Sequence, residues 1–252
     1  MTSTPTTLLA HAKLTLRLAV TGVRPDGYHL LDAEMVSLDL ADTIEISDGD
    51  DLAVVEAATG LPVPAGDDNL VRRALALVGR SASVRLTKRI PAGGGLGGGS
   101  ADAAAVLWWA GCRDTDVAVR LGGDVPFCLT GGRARVRGIG EEVTPLPGAE
   151  LAGRAYTLLT PPFGVSTVAV YRAWDALGGP QGEGPNDLEV AALQVEPRLA
   201  EWRDRLAEAT GRWPVLAGSG STWWVEGAFP GDGRIVARAV GAGVTRVDGV
   251  TV

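Results

Sequence analysis

The sequence predicts an α+β fold, and three observations carry that prediction. Segments of period-two alternation and segments of helical spacing are mixed rather than strictly alternating, which disfavours a doubly wound sheet. Six glycines within Gly93–Ser100 run straight into an alanine-rich segment of helical character. The chain of 252 residues is 46% hydrophobic and 21% charged, enough to bury a real core in one large domain or two modest ones. Its character shifts near Glu150, which suggests two domains, 1–150 and 151–252.

The elements follow in order. Residues 12–22 alternate Leu14, Leu16 and Leu18 against Lys13, Thr15 and Arg17, the pattern of a half-buried strand. Pro25 and Asp26-Gly27 then form a turn, and 33–46 is further strand with a bend at Leu40–Thr43. Leu70, Ala74, Leu77 and Val78 recur at helical spacing within 67–80. Alternation returns over 82–90, and a helix is expected from Ser100, with Ser100 as its N-cap and Asp102 in its first turn. Residues 121–146 are rich in glycine and β-branched residues and are expected to be strand and turn. Beyond 150, the sequence predicts a strand at 154–162, a helix starting at 165–174 and a loop at 177–187. An amphipathic helix at 193–209 follows, then strand, glycine turn and strand over 213–227, and a helix and strand in 233–250.

Composition narrows the function. The formal net charge of −7 argues against nucleic acid, whose binding rests on phosphate neutralisation by Lys and Arg. A small phosphorylated ligand needs only a local positive field. Cys112 and Cys128 lack paired spacing and are expected as free thiols. Two histidines are too few for a histidine metal cluster, and neither lies in a nucleophile motif. No apolar run is long enough for a bilayer span, and the opening residues lack the charged start and apolar core of a secretory signal. A cytoplasmic location, with small-molecule partners and no membrane, is expected.

The stretch Gly93-Gly94-Gly95-Leu96-Gly97-Gly98-Gly99-Ser100 stands before a helix N-terminus, where free backbone N–H groups and the helix dipole attract anions. A polyphosphate is the expected guest. Gly93, Gly95 and Gly98 also satisfy G-x-G-x-x-G, but several strands precede them, unlike a dinucleotide fold. No Lys follows the glycines as in a Walker loop, and a glycine-rich bend without ligand is the plain alternative. Asp124, within "LGGDVPF", is either a turn-forming acid or a general base at the lip of a cavity. Lys13 reads in isolation as a solvated lysine, and Tyr28-His29 as a ring and an imidazole with no fixed role.

Taken together, "AHAKLTLRLAVTGVRPDGYHLL", "DNLVRRA", "KRIPAGGGLGGGSADAAAVL", "LGGDVPFCLTGGRARVRGIGEEVTPL", "PPFGVSTVAVYRAW", "NDLE" and "LAGSGSTWWV" resemble successive motifs of the 4-diphosphocytidyl-2-C-methyl-D-erythritol kinase family. That family belongs to the GHMP kinase superfamily. The glycine loop alone reaches only the superfamily; "RPDGYH" and "KRIP" narrow it. The resemblance implies a two-domain GHMP kinase fold with a left-handed βαβ crossover and the active site in the interdomain cleft. It implies transfer of the ATP γ-phosphoryl group to the substrate 2-hydroxyl in the non-mevalonate isoprenoid pathway, with Mg²⁺ present. It places Gly93, Gly94, Gly95, Leu96, Gly97, Gly98, Gly99 and Ser100 on the ATP phosphates, and Asn69 and Lys88 near the adenosine. Asp124 is implied as base and Lys13 as its partner. Tyr28 and Tyr171 are implied to stack on the cytosine and His29 to bond its edge. Thr15, Thr167, Gly218, Ser219 and Gly220 are implied near the substrate. No metal ligand is implied by position.

Three departures stand out. Thr15 occupies a position where relatives usually carry Asn, Ala101 replaces a second serine after the loop, and the chain is shorter between Trp109 and Leu121. They leave open a nucleotide-binding relative that no longer catalyses. A separate alternative is another small-molecule kinase of the superfamily, against which "RPDGYH" and Tyr171 speak because they suit a cytosine.

Overall fold

Leu8, Ala10, Ala12 and Leu14 point into the apolar core from the first strand, yet His11, Lys13 and Thr15 between them are also buried. A half-buried strand is thus covered on both faces along its middle. In this computed structural model, which describes residues 5–56, 61–179 and 184–247, that strand is β1 (Thr6–Val23) and pairs antiparallel with β2 (His29–Ser47). The connecting turn is the expected one, with Gly27 at φ +87°. The bend expected at 40–43 is a bulge just before it: His11 faces Ala41 but Lys13 faces Ser37.

β3 (Leu52–Glu56) runs parallel to β4 (Ser83–Lys88), with α1 (Leu70–Leu77) between them, a βαβ unit. α2 (Gly98–Trp109) packs against α1 and β1. Every residue of α2 from Ala101 to Leu107 is buried, so it is a core helix rather than an amphipathic one. Its N-cap is Gly97 in the left-handed region, not Ser100, which lies inside the first turn. After α3 (Thr115–Ala118) comes α4 (Val125–Thr130), where strand and turn were expected. Pro126 suits a first helical turn and Gly131 ends the helix. With Val125 to Leu129 all buried, no period reveals the helix. β5 (Arg133–Gly138) and β6 (Glu142–Pro145) follow.

The second half begins with β7 (Ala155–Leu159) and α5 (Thr167–Ala176), both near their expected places. The single helix expected at 193–209 is two, α6 (Glu189–Val195) and α7 (Leu199–Thr210), separated around Pro197, which an uninterrupted helix would not tolerate. β8 (Val215–Leu216) and β9 (Trp223–Glu226) flank the glycine turn. The expected tail helix is instead β10 (Arg234–Val240), followed by β11 (Val244–Arg246). In β10 the exposed Arg238 separates buried Ala237 and Ala239, a period of two.

The main strand order is β11-β1-β2-β10-β7-β9-β8. β10 couples the halves, pairing with β2 through Ala239 and Val240 and with β7 through Arg234–Arg238. One apolar core forms around β1, β2, β4 and α2; a second gathers Leu18, Val170, Trp174, Leu199, Leu206 and Trp223. The architecture is α+β. Among the described residues, no helix is long and apolar enough to cross a membrane.

Candidate active site

The buried second face of β1 opens onto a cavity of about 560 Å³ whose wall draws on both halves of the chain. Lys13 lies on that wall, only 4% exposed, and its stem is covered by the glycine loop. Its ammonium stands 3.3 Å from the Asp124 carboxylate and donates to Thr15 Oγ1 at 3.1 Å. Lys13 is therefore no solvated surface residue. Asp124 occupies the N-cap position of α4 but makes no side-chain cap hydrogen bond, which leaves its carboxylate facing the cavity.

The loop touches β1 directly, since the Lys13 backbone N–H donates to Leu96 O at 3.0 Å. At Gly97 (φ +70°) a Cβ would stand 2.7 Å from Lys13 Cγ; at Gly95 (φ +76°) it would stand 2.3 Å from Ala217 O. Glycine is thus required at these two positions by protein neighbours and by backbone conformation. α2 starts without a side-chain cap. Its first-turn N–H groups lack intrahelical acceptors. Gly95 and Ser100 line the same cavity as Asp124.

Aromatic groups form the other end. Tyr28, His29 and Tyr171 line the cavity. Tyr28 is 61% exposed. The rings of His29 and Tyr171 lie 4.5 Å apart, and His29 meets Trp174 edge-on at 5.6 Å. His29 Nε2 is 2.8 Å from Asp175 Oδ1. That leaves Nδ1 as the ring nitrogen not engaged by Asp175. Burial, and then the charge of Asp124, push the Tyr171 phenol up. Thr167 Oγ1 and Ser219 Oγ meet at 2.9 Å, joining the start of α5 to the glycine turn before β9. That turn is held by buried Asn186, whose Nδ2 donates to Gly218 O at 2.7 Å and Leu216 O at 2.9 Å. A Cβ on Gly218 would lie 3.3 Å from Lys13 Nζ, and Gly220 N–H donates to Ala217 O.

Other expected site residues lie elsewhere. Asn69 caps α1: its Oδ1 accepts from Val71 N at 2.9 Å and its Nδ2 donates to Pro64 O at 2.8 Å. Lys88 is 5% exposed, beneath the start of α2, and ion-paired with Asp42 and Asp102. Its charge is neutralised within the fold and does not reach the cavity. Thr15 is buried at 2% and acts on Lys13 rather than on the cavity. Sequence reading missed Asp42, Asp102, Asp175 and Asn186, all of which support site residues. Nothing in "NDLE" itself reveals that Asn186 clamps a turn 30 residues away. The cysteines are free as expected; burial pushes the Cys128 thiol up and so disfavours its thiolate. Among the described residues there is no group of three or more His, Cys, Asp or Glu able to hold a metal ion.

Residues 69–132 match the GHMP kinases N terminal domain family, a span that includes the loop and Asp124. The 4-diphosphocytidyl-2-C-methyl-D-erythritol kinase of Ruegeria pomeroyi is 37% identical, over 92% of either chain. That of Paracoccus denitrificans is 40% identical over 84% of either chain. A crystal structure of 4-(cytidine 5'-diphospho)-2C-methyl-D-erythritol kinase superposes with a TM-score of 0.71 at 32% identity, covering 94% of this chain and 100% of the other. Homoserine kinase from Cytophaga hutchinsonii, at 15% identity and a TM-score of 0.62, shares the fold. Likeness of this extent over almost the whole length settles the lineage: this chain belongs to the 4-diphosphocytidyl-2-C-methyl-D-erythritol kinase family within the GHMP kinases.

Proposed function

We propose that this chain transfers the γ-phosphoryl group of ATP to the 2-hydroxyl of 4-diphosphocytidyl-2-C-methyl-D-erythritol, a step of non-mevalonate isoprenoid synthesis. The family supports the reaction. One observation carries the site: the Lys13–Asp124 pair, 3.3 Å apart, stands in a single cavity between a glycine-rich helix start and a cluster of aromatic rings.

Phosphoryl transfer asks a protein mainly for alignment and charge stabilisation. In this reading the amides of Gly93–Ser100 hold the ATP phosphates. Tyr28 and Tyr171 flank the cytosine and His29 reads its edge, while Thr167 and Ser219 close over the rest of the acceptor. Asp124 accepts the 2-hydroxyl proton as that oxygen bonds to the γ-phosphorus. The bond from phosphorus to the β,γ-bridging oxygen breaks, and ADP leaves. Lys13 orients Asp124 and places a positive charge beside the phosphoryl group in transit.

Mg²⁺ usually binds through one or two protein oxygens together with substrate phosphates, so a dedicated protein cage is not required. The Ser100 hydroxyl on the cavity wall suits that role, and the ion would neutralise phosphate charge. Ala101 cannot supply the oxygen of a second serine. We also infer a cytoplasmic enzyme acting on small molecules, and a division into 1–150 and 151–252. A second apolar core built mostly from residues beyond 150 supports that division, although Leu18 and Val20 join it, Tyr156, Leu158 and Trp224 lie in the first core, and β11 returns to pair with β1.

An ATPase-coupled assay comparing the cytidylated substrate with mevalonate, homoserine and galactose tests the reading. Turnover with the cytidylated alcohol alone is expected. Preference for another alcohol, or ATP binding without turnover, overturns it.

A further inference from the structure

A buried charge network lies under the glycine loop and outside the cavity. Lys88, the last residue of β4, is ion-paired with Asp42 of β2 and, at 2.6 Å, with Asp102 of α2. Asp42 is 0% exposed, Asp102 2% and Lys88 5%. The other oxygen of Asp42 accepts from the backbone N–H groups of Arg89 and Ile90, the latter at 2.8 Å. Asp42 therefore fixes the chain just before the loop, and Asp102 is held just after it by the same lysine.

Buried charges are costly unless paired, so an ion pair sealed from water demands a structural or functional reason. Here both attachment points bracket the segment that reaches α2. The network also lies directly below the loop: a Cβ on Gly98 would stand 3.2 Å from Lys88 Nζ and from Ile90 Cγ2. Asp102 Oδ1 has no hydrogen-bond partner among the described residues, so Lys88 is the group that holds this carboxylate.

We propose that Asp42, Lys88 and Asp102 are positioning residues that set the span of the glycine loop, and thereby the aim of the backbone amides at the start of α2. This assigns Lys88 a place under the nucleotide cradle instead of a contact with nucleotide, and it rests on the kinase reading above. Movement of the amides would weaken the hold on phosphate and leave the aromatic end of the cavity untouched.

The test compares the wild-type enzyme with Asp102→Asn and Asp102→Ala in steady-state kinetics, together with thermal melting of each. Asn keeps the size and an acceptor for Lys88; Ala removes both. For Asp102→Ala, KM for ATP is expected to rise about tenfold or more, with KM for the alcohol substrate changed less than about twofold. Asp102→Asn is expected to lie between Ala and wild type, a partial rescue that loss of bulk stability alone would not give. Unchanged KM for ATP in folded variants, or equal rises in both KM values, overturns the proposal. If Asp102→Ala does not fold, Asp102→Asn decides by the same split. A wild-type enzyme without kinase activity would instead overturn the kinase reading.

Discussion

Lys13 Nζ donates to Thr15 Oγ1 at 3.1 Å, and the same ammonium stands 3.3 Å from Asp124. With Thr15 buried and the Lys13 stem covered by Gly97, the hydroxyl fixes the end of a side chain whose stem is already confined. Thr15→Val preserves shape and removes only that acceptor. It is expected to lower kcat about tenfold with little change in either KM, since one hydrogen bond to a charged group is lost. Steady-state kinetics with each substrate varied in turn checks this; an unaltered kcat would show that Asp124 suffices to place Lys13.

Asp124 caps α4 by position but makes no cap hydrogen bond. Its carboxylate is therefore dispensable to the helix, but Asp124→Ala leaves the buried Lys13 ammonium without its counter-charge, so the variant is expected to fold with a lowered melting temperature. If the carboxylate takes the hydroxyl proton, kcat is expected to fall by about 10²–10⁴-fold. ATP affinity, measured by calorimetry, is expected to change little. A variant that retains most of its turnover removes Asp124 as base.

Tyr28 is a clean probe of the aromatic end because it is 61% exposed and makes few contacts, its ring lying 6.0 Å from the Arg24 guanidinium carbon. Tyr28→Ala is expected to leave the melting temperature unchanged and to raise KM for the cytidylated substrate about tenfold, with KM for ATP constant. Tyr171→Ala differs, because Tyr171 packs on His29 at 4.5 Å. Its effect on KM is expected to be larger, with some loss of stability. Parallel changes in both KM values for Tyr28→Ala would place that ring somewhere other than on the base.

These sites were unequally legible. The loop shows in the sequence because a backbone requirement is written as glycine: Gly95 and Gly97 leave no room for side chains. The β1–β2 hairpin shows because its turn chemistry and alternation agree. α4 did not show, since a segment buried on every side has no period to read. β10 did not show either, because its short alternation sits among alanines and arginines that suit a helix equally well. The resemblance implies Lys88 near the adenosine, but its ion-pair partners Asp42 and Asp102 are not legible, as they lie 46 and 14 residues away. Single acids at such distances carry no local signal, and only the pairing of strands and helix brings them together.

His11 gives the fold a pH dependence whose sign follows from its surroundings. The ring is buried between strands: Nδ1 lies 2.8 Å from Leu38 O and Nε2 2.9 Å from Thr245 Oγ1. A carbonyl only accepts, so Nδ1 carries the proton and Nε2 accepts from the threonine hydroxyl in the neutral ring. Burial holds the His11 pKa below its ordinary 6.5, outweighing the Leu38 carbonyl and the Asp39 charge. Above 6.5 the ring is neutral in both folded and unfolded chains and adds no pH dependence. Below 6.5 the unfolded chain takes up a proton that the folded chain resists, so stability falls until the lower folded pKa is reached. His11→Asn lacks that titration. It is expected to be less stable than wild type at pH 7.5, with the gap narrowing toward pH 5.5 in urea unfolding monitored at each pH. His29 is common to both chains and cancels in the comparison. A gap that stays constant over this range would mean that the folded and unfolded chains bind the His11 proton equally.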